Sequence, residues 1–204
     1  MKKINYFILI FSLITISGIA QNTKLELTKE TQKDSILNRW FSYYKNLDST
    51  FSFENFELES ERKIDTMPGF AFAIFDKEFE KYHEPFLVFN SSKKKYIDFD
   101  SYFWFINSEN KINFEIDQEI DLVDIKSKMI YRVAFRGPSQ LVEDAFWEND
   151  YTVYLLEVLE ENTPIISKID LRYFSRKVYF YNKKLSKKSN YQELRFKEKG
   201  YSLE

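Results

Sequence analysis

The sequence predicts a mainly β fold of the α+β class, an antiparallel β-meander or small sandwich with one N-terminal amphipathic helix. From Phe86 to Asn182, runs of β-forming residues alternate with turn residues about every ten to twelve positions, a spacing typical of all-β domains. Between residues 34 and 47, apolar side chains instead recur at helical spacing. Residues 34–182 are therefore predicted to form a single β-rich domain.

The first twenty residues have the pattern of a cleavable secretory signal. Lys2 and Lys3 precede an apolar run from Tyr6 to Ile16, and Gly18 and Ala20 occupy the positions that a signal peptidase reads. The run is short for a membrane span, although an N-terminal anchor or a buried strand is the alternative. Cleavage near Ala20 predicts a periplasmic or secreted protein, and the absence of Cys excludes a Cys-linked lipid anchor.

Composition narrows the classes of partner. The formal charge of −2 becomes −4 when Lys2 and Lys3 are removed, and acidic and basic residues are interspersed. Such a chain has no basic field for nucleic acid. No later segment is apolar and long enough to span a bilayer, so the mature chain is predicted to have no membrane span. Residues 21–33 form a polar leading segment, and residues 183–204 form a charged tail or a last strand.

One helix is predicted over residues 34–47, with Asp34 or Ser35 as its N-cap. Its apolar stripe is expected to pack on the sheet; binding of a partner is the alternative. The stripe consists of Ile36, Leu37, Trp40, Phe41, Tyr44 and Leu47.

Strands are predicted from alternation and from runs of β-forming residues. The run GFAFAIF at 69–75 is expected to be a buried strand, and Asp76 to His83 one or two helical turns. In the stretch VEDAFWENDYTVYLLE, a strand meets a tight turn at 148–150 and returns as a strand. The predicted strands are 51–59, 69–75, 86–90, 96–106, 111–117, 119–125, 129–136, 141–147, 151–159, 166–171 and 177–182.

The segments EIDLVDIKSKMIYRVAF, VEDAFWENDYTVYLLE and PIISKIDLRYFSRKVYFYN share a strand rhythm. This rhythm resembles that of β-propeller blades and of small exported proteins of unknown function from Gram-negative bacteria, over residues 86–182. A propeller needs at least four blades of about forty residues, whereas about two fit here. The resemblance therefore implies blade-like hairpins within one sheet or a small sandwich, and no activity is inferred from it.

Several kinds of catalytic site are excluded by residue type. The chain has 0 Cys and 1 His, so a His- or Cys-rich zinc site and a Cys nucleophile cannot be built. His83 is expected to be a surface residue. No Gly-x-Ser-x-Gly elbow and no Gly-rich phosphate loop occurs.

Carboxylates spaced two residues apart share one face in each of three consecutive predicted strand segments. The pairs are Asp98 with Asp100, Glu115 with Asp117, and Glu119 with Asp121. Oxygen ligands of this kind suit Ca²⁺, and a facing pair would suit glycoside hydrolysis. No EF-hand spacing supports the cation, so no cofactor or metal is predicted. The alternative is a solvated outer face, which the alternation of apolar and acidic residues predicts.

Five other side chains are candidate binding residues. Glu143 and Asp144 are expected to be solvated at a loop edge, and Trp147 to fill space beside the tight turn. Tyr102 and Trp104 share a strand face and would form an exposed aromatic platform unless that strand is covered on both faces.

The missing catalytic motifs favour a non-enzymatic exported module that binds a protein or glycan of the cell envelope. The alternative is a carboxylate-based hydrolase acting on an envelope glycan, which rests on the acidic pairs. An inhibitor of another bacterium's enzyme fits the size and the export signal, but no residue argues for it.

Overall fold

A computed structural model describes residues 23–160 and 162–203. The predicted signal segment, 1–20, lies outside the described residues. The α-helices are α1 (Ser35–Leu47) and α2 (Tyr191–Glu198), and the strands are β1 (Phe56–Lys63), β2 (Met67–Pro68), β3 (Val88–Phe89), β4 (Lys95–Asp98), β5 (Trp104–Ile106), β6 (Ile112–Phe114), β7 (Gln118–Asp124), β8 (Met129–Arg136), β9 (Gln140–Asn149), β10 (Thr152–Leu159), β11 (Thr163–Asp170) and β12 (Ser175–Tyr181). Among these residues, no helix is both long and apolar enough to cross a bilayer.

The strands of this part of the chain form two antiparallel sheets and a hairpin. Sheet 1 has the order β1-β12-β11-β10-β9, and sheet 2 has the order β2-β8-β7-β4-β3; β5 and β6 form the hairpin. The predicted fold class is confirmed, since the structure is mainly β, antiparallel and has one helix near its N-terminal end.

Helix α1 forms where the sequence predicts it. The carboxylate of Asp34 accepts hydrogen bonds from the backbone N–H groups of Ile36 and Leu37, which caps the first turn. Leu37, Trp40 and Tyr44 are buried on one face, and they pack in one apolar cluster with Phe146 of β9 and Tyr154 of β10 among others. The apolar stripe therefore packs on sheet 1.

Apolar side chains fill a layer on each face of sheet 1. One cluster lies between sheet 1 and α1, and a second joins residues of both sheets, including Ile97, Ile120, Val142 and Leu155. Burial on both faces explains why β10 reads as a continuous apolar run rather than an alternating one.

One predicted strand is wrong, and another is divided into two short strands, β4 and β5. Residues 69–75 form bends and turns, and Phe70 and Phe72 are exposed; the Asp76 carboxylate accepts a hydrogen bond from the Ala73 N–H, which favours a turn over a strand. The predicted strand 96–106 is interrupted because Asp98 Oδ1 accepts hydrogen bonds from the N–H groups of Asp100 and Ser101.

The remaining segments differ in their bounds or their type. The strand predicted at 51–59 runs from Phe56 to Lys63 after a 3-10 turn, and the helical turn predicted at 76–83 is a 3-10 helix at Lys81–Phe86. The strand predicted at 111–117 is confined to Ile112–Phe114. Residues 183–204 include helix α2 instead of a last strand.

Candidate functional site

Most of the paired carboxylates are buried, so the solvated outer face that the alternation predicts is wrong for them. Of the six paired carboxylates, Glu115 is exposed and Asp117 is half-buried. The remaining four carboxylates, together with Glu143 and Asp144, are at most 3% exposed: Asp98, Asp100, Glu119 and Asp121. They lie in three groups with different partners.

The first group is centred on Asp100. Its carboxylate accepts hydrogen bonds from both terminal nitrogens of Arg195 in helix α2, and Nη1 lies 3.0 Å from Oδ1. It also accepts one from the Trp104 indole N–H at 3.1 Å. Arg195 Nε also lies 3.9 Å from Asp144 Oδ1. Asp100 is therefore an anchor for the C-terminal helix, and its oxygens are occupied by the fold.

The second group joins Asp98, Glu119 and Asp121 on sheet 2. Asp98 and Asp121 are directly opposite in the β4–β7 ladder, and Glu119 accepts a hydrogen bond from the Phe70 N–H at 2.6 Å. Burial, together with the neighbouring charges of Glu119 and Asp98, raises the pKa of Asp121 to about 9. Within the described residues, no three His, Cys, Asp or Glu side chains are arranged to hold a metal ion.

The third group contains Glu143 and Asp144 on β9. Glu143 Oε2 accepts hydrogen bonds from the Trp40 indole at 2.8 Å and from the Tyr44 hydroxyl at 2.7 Å, and Oε1 accepts one from the Ser189 hydroxyl. Burial raises the pKa of Glu143 to about 7, although these three donors act in the opposite direction.

Asp144 points to a different set of partners from its neighbour Glu143. It accepts hydrogen bonds from Arg39 at 2.5 Å and from the Tyr191 hydroxyl at 2.8 Å. Asp144 therefore joins α1 to the C-terminal segment. The expectation that Glu143 and Asp144 are solvated at a loop edge is wrong, because α1 and the C-terminal segment cover them.

Glu143 lines a cleft of about 360 Å³, which we call the Glu143 cleft. One wall comes from the start of β9 and the end of β10, and the other from residues 188–193 and Leu203. Amide side chains line it at Gln140, Asn162, Asn190 and Gln192; carboxylates at Glu160 and Glu193; and apolar side chains at Leu141, Leu159 and Leu203. Among the predicted site residues, only Glu143 belongs to this cleft.

The three aromatic candidates, Tyr102, Trp104 and Trp147, have different environments and form no common surface. Trp104 is buried against Phe196 of α2, so it belongs to no exposed platform. Tyr102 is 38% exposed and contacts Phe135 with ring centroids 6.3 Å apart. Trp147 is half-buried and donates its indole N–H to the Val88 carbonyl at 2.8 Å, which links β9 of sheet 1 to β3 of sheet 2.

His83 is buried rather than at the surface, so that expectation is wrong. Its Nε2 lies 3.0 Å from the Trp104 carbonyl oxygen, and its ring packs edge-on against the Trp104 indole. A satisfied hydrogen bond inside an aromatic cluster gives His83 a packing role.

The sequence interpretation missed the C-terminal half of the cleft. Ser189 and Gln192, which line the cleft, fall in the segment predicted to be a charged tail or a last strand. A signal was present in NYQELRF, where Tyr191 and Arg195 are one helical turn apart after the polar residues Ser189 and Asn190.

Comparisons with protein-family models, curated proteins and solved structures give no match. The resemblance to propeller blades therefore stays a prediction. The function has to be argued from the geometry of the chain itself.

Proposed function

We propose that this chain is a non-enzymatic exported binding module that holds a polar, hydroxyl-rich ligand, such as a glycan of the cell envelope, in the Glu143 cleft. The observation that carries the proposal is the lining of this cleft: amides and carboxylates beside leucines in a space of about 360 Å³. Ligand pockets generally occupy about 300–1,000 Å³ and combine an apolar surface with a few placed polar groups.

The polar lining suits a ligand whose groups both donate and accept hydrogen bonds. Each side-chain amide offers two donors and one acceptor oxygen, which matches the hydroxyl groups of a glycan. Asn190 is held in place, since its Oδ1 accepts from the Tyr43 hydroxyl, and Gln140 donates to Glu157. Preorganised groups of this kind lose little freedom when a ligand binds.

The environment of Glu143 favours binding over catalysis. A catalytic acid or base must place one oxygen within hydrogen-bond distance of the substrate. Both oxygens of Glu143 already accept hydrogen bonds from Trp40, Tyr44 and Ser189. Its role is then to hold Ser189 and the adjoining segment in place as a wall of the cleft.

One observation favours the alternative of a carboxylate-based hydrolase. Glu143 has a pKa raised by burial to about 7, and Glu160 and Glu193 line the same cleft. A protonated carboxylic acid near a second carboxylate is the arrangement that glycoside hydrolysis uses. Glu143→Gln separates the two functions, because it would abolish turnover while leaving the cleft able to bind.

The export part of the proposal is supported by the signal-like pattern of residues 1–20. Expression of the full chain in a Gram-negative host should yield a product that begins at Gln21. The intact mass of the purified protein tests this directly. A mass equal to that of the whole chain would contradict cleavage near Ala20.

The cleft is tested by thermal unfolding of the mature chain with a panel of envelope glycans. A ligand at a hundred times its Kd should stabilise the native state by about 2.7 kcal/mol. Gln192→Ala removes one amide from the lining and should weaken binding about fivefold to tenfold, which corresponds to about one hydrogen bond. Calorimetric titration measures the affinity.

Gln32→Ala is the matched control, since Gln32 is exposed and does not line the cleft. It should leave the affinity unchanged. Release of reducing ends that disappears in Glu143→Gln would favour the hydrolase instead. A panel without any shift would contradict the glycan ligand and direct the search to a protein partner.

A further inference from the structure

A second concave surface shares no lining residue with the Glu143 cleft. It is a groove of about 270 Å³ where the end of β1 passes the outer edge of β8, beside β12. We call it the arginine groove. Its charged lining residues are Arg62, Lys63, Asp65, Arg136 and Arg176.

Two of the arginines are direct cross-strand neighbours. Arg62 of β1 and Arg176 of β12 are opposite each other in the antiparallel ladder, so their side chains leave the same face of sheet 1. Like charges at directly opposite positions destabilise a sheet. A pairing of this kind calls for an explanation beyond the stability of the fold.

The charge of Arg176 is only partly compensated by the surrounding protein. Burial, and then the neighbouring charge of Arg136, lower the pKa of Arg176 to about 10. The nearby carboxylate Glu157 acts in the opposite direction and partly offsets this loss, but its Oε2 accepts hydrogen bonds from Arg136 Nε at 2.6 Å and from Gln140 Nε2 at 2.7 Å rather than from Arg176. Asp65 is exposed, and among the described residues it forms no ion pair with these arginines.

Arg176 also carries an unsatisfied donor. The residue is only 7% exposed, and its Nε has no hydrogen-bond partner within the described structure. A buried donor without a partner costs about 1–3 kcal/mol, and more when it is charged. Arg176 lines the groove together with Arg62 and Lys63, so an anion placed there would meet three cationic side chains within one small space.

We propose that the arginine groove binds an oxyanion of the phosphate or sulfate class, through Arg176 with Arg62 and Lys63. Guanidinium groups present several N–H donors in a plane, which suits bidentate contacts to phosphate oxygens. The bound anion would neutralise the cross-strand arginine pair. This site shares no lining residue with the Glu143 cleft, so the inference stands apart from the proposed function.

The test is calorimetric titration of the mature chain with inorganic phosphate and with sulfate, at constant ionic strength set with chloride. We expect saturable binding, and about a tenfold loss of affinity in Arg62→Gln, since one charge-assisted interaction is removed. Arg62 is exposed, so this variant should fold. Arg172→Gln is the matched control, because Arg172 is an exposed arginine that pairs with Asp170 outside the groove.

A second arm uses a phosphorylated monosaccharide beside the same sugar without phosphate. Binding of the phosphorylated sugar alone identifies an anion carried on a larger ligand, whereas equal binding of inorganic phosphate identifies the free ion; either result supports the site. General stabilisation by phosphate and sulfate acts on wild type and Arg62→Gln alike. Equal affinity in wild type, Arg62→Gln and Arg172→Gln, or no binding in any titration, would overturn the proposal.

Discussion

Replacing Arg195 by methionine is expected to lower the free energy of unfolding by about 3–5 kcal/mol, the range for removing one partner of a buried ion pair. The guanidinium group is buried and binds Asp100 through two nitrogens, with Asp144 at 3.9 Å. Methionine would fill much of the volume and satisfy neither carboxylate. The buried Asp100 would then lose its bidentate cation, and Asp144 would keep Arg39 alone.

The packing around Arg195 strengthens this expectation. Its guanidinium carbon lies 4.5 Å from the ring centre of Phe99 and 5.1 Å from that of Phe86, so little water reaches the pair. Burial by itself would lower the pKa of Arg195, but Asp100 and Asp144 outweigh it and raise the pKa above its usual value. The arginine is therefore charged, and its charge stabilises the Asp100 carboxylate above all.

Urea denaturation of wild type and variant measures the change. Arg172→Met serves as the control, because its pair with Asp170 is largely exposed at the arginine and such pairs contribute at most about 1 kcal/mol. Arg195→Lys should fall between the two, since it keeps the charge and loses the bidentate geometry. If Arg195→Met lowers the free energy of unfolding no more than Arg172→Met does, Arg195 does not anchor the C-terminal helix as inferred.

Local sequence patterns predicted those elements in which the same face is buried from one end of the element to the other. Helix α1 and strands β8 to β12 match their predicted positions within a few residues, because the apolar periodicity of α1 and the β-branched and aromatic runs agree with their burial. The interruption after Asp98 was missed because one side chain caps a turn inside an otherwise β-forming run.

The burial of the carboxylates could not be predicted from alternation alone. Glu143 meets Trp40 and Tyr44 across 103 and 99 residues of sequence, and Ser189 across 46. An acidic residue in a strand looks the same whether its face is open to water or covered by such distant segments. The same limitation applies to Glu119, whose partner Phe70 lies 49 residues earlier.

The buried carboxylates predict that the fold is most stable in mildly acidic solution. Glu143 has a pKa of about 7 in the folded state against an ordinary value of 4.5. Between these two values the folded chain keeps a proton that the unfolded chain has released, so stability falls as the pH rises. The contribution of Glu143 to this loss is about 3 kcal/mol, at about 1.4 kcal/mol for each pH unit.

Asp121 extends the same trend to higher pH. Its pKa of about 9 lies far above its ordinary value of 3.8, so its contribution also falls as the pH rises through that interval. At acidic pH, Glu157 makes the stability depend on pH in the opposite direction. Burial would raise the pKa of Glu157, but Arg136 lowers it below the ordinary value, and the stability that this pair provides is lost as the pH falls.

Chemical denaturation from pH 4 to pH 9 should therefore show a maximum at mildly acidic pH and a decline toward pH 8. Glu143→Gln should flatten the part of the decline below pH 7, because a glutamine imitates the protonated acid. Its oxygen can still accept from Trp40 and Tyr44, and its NH₂ group can donate to the Ser189 hydroxyl.

Two further variants separate the contributions to this decline. Asp121→Asn should remove the part that persists above pH 7, where Glu143 is already ionised. Glu109→Gln, at an exposed position, should leave the profile unchanged. A wild-type profile that rises steadily from pH 5 to pH 8 would show that Glu143 and Asp121 are ionised in the folded state at little cost. In that case water or an ion must reach them, and the covering of β9 by α1 and of sheet 2 by the Phe70 segment would be looser than their hydrogen bonds indicate.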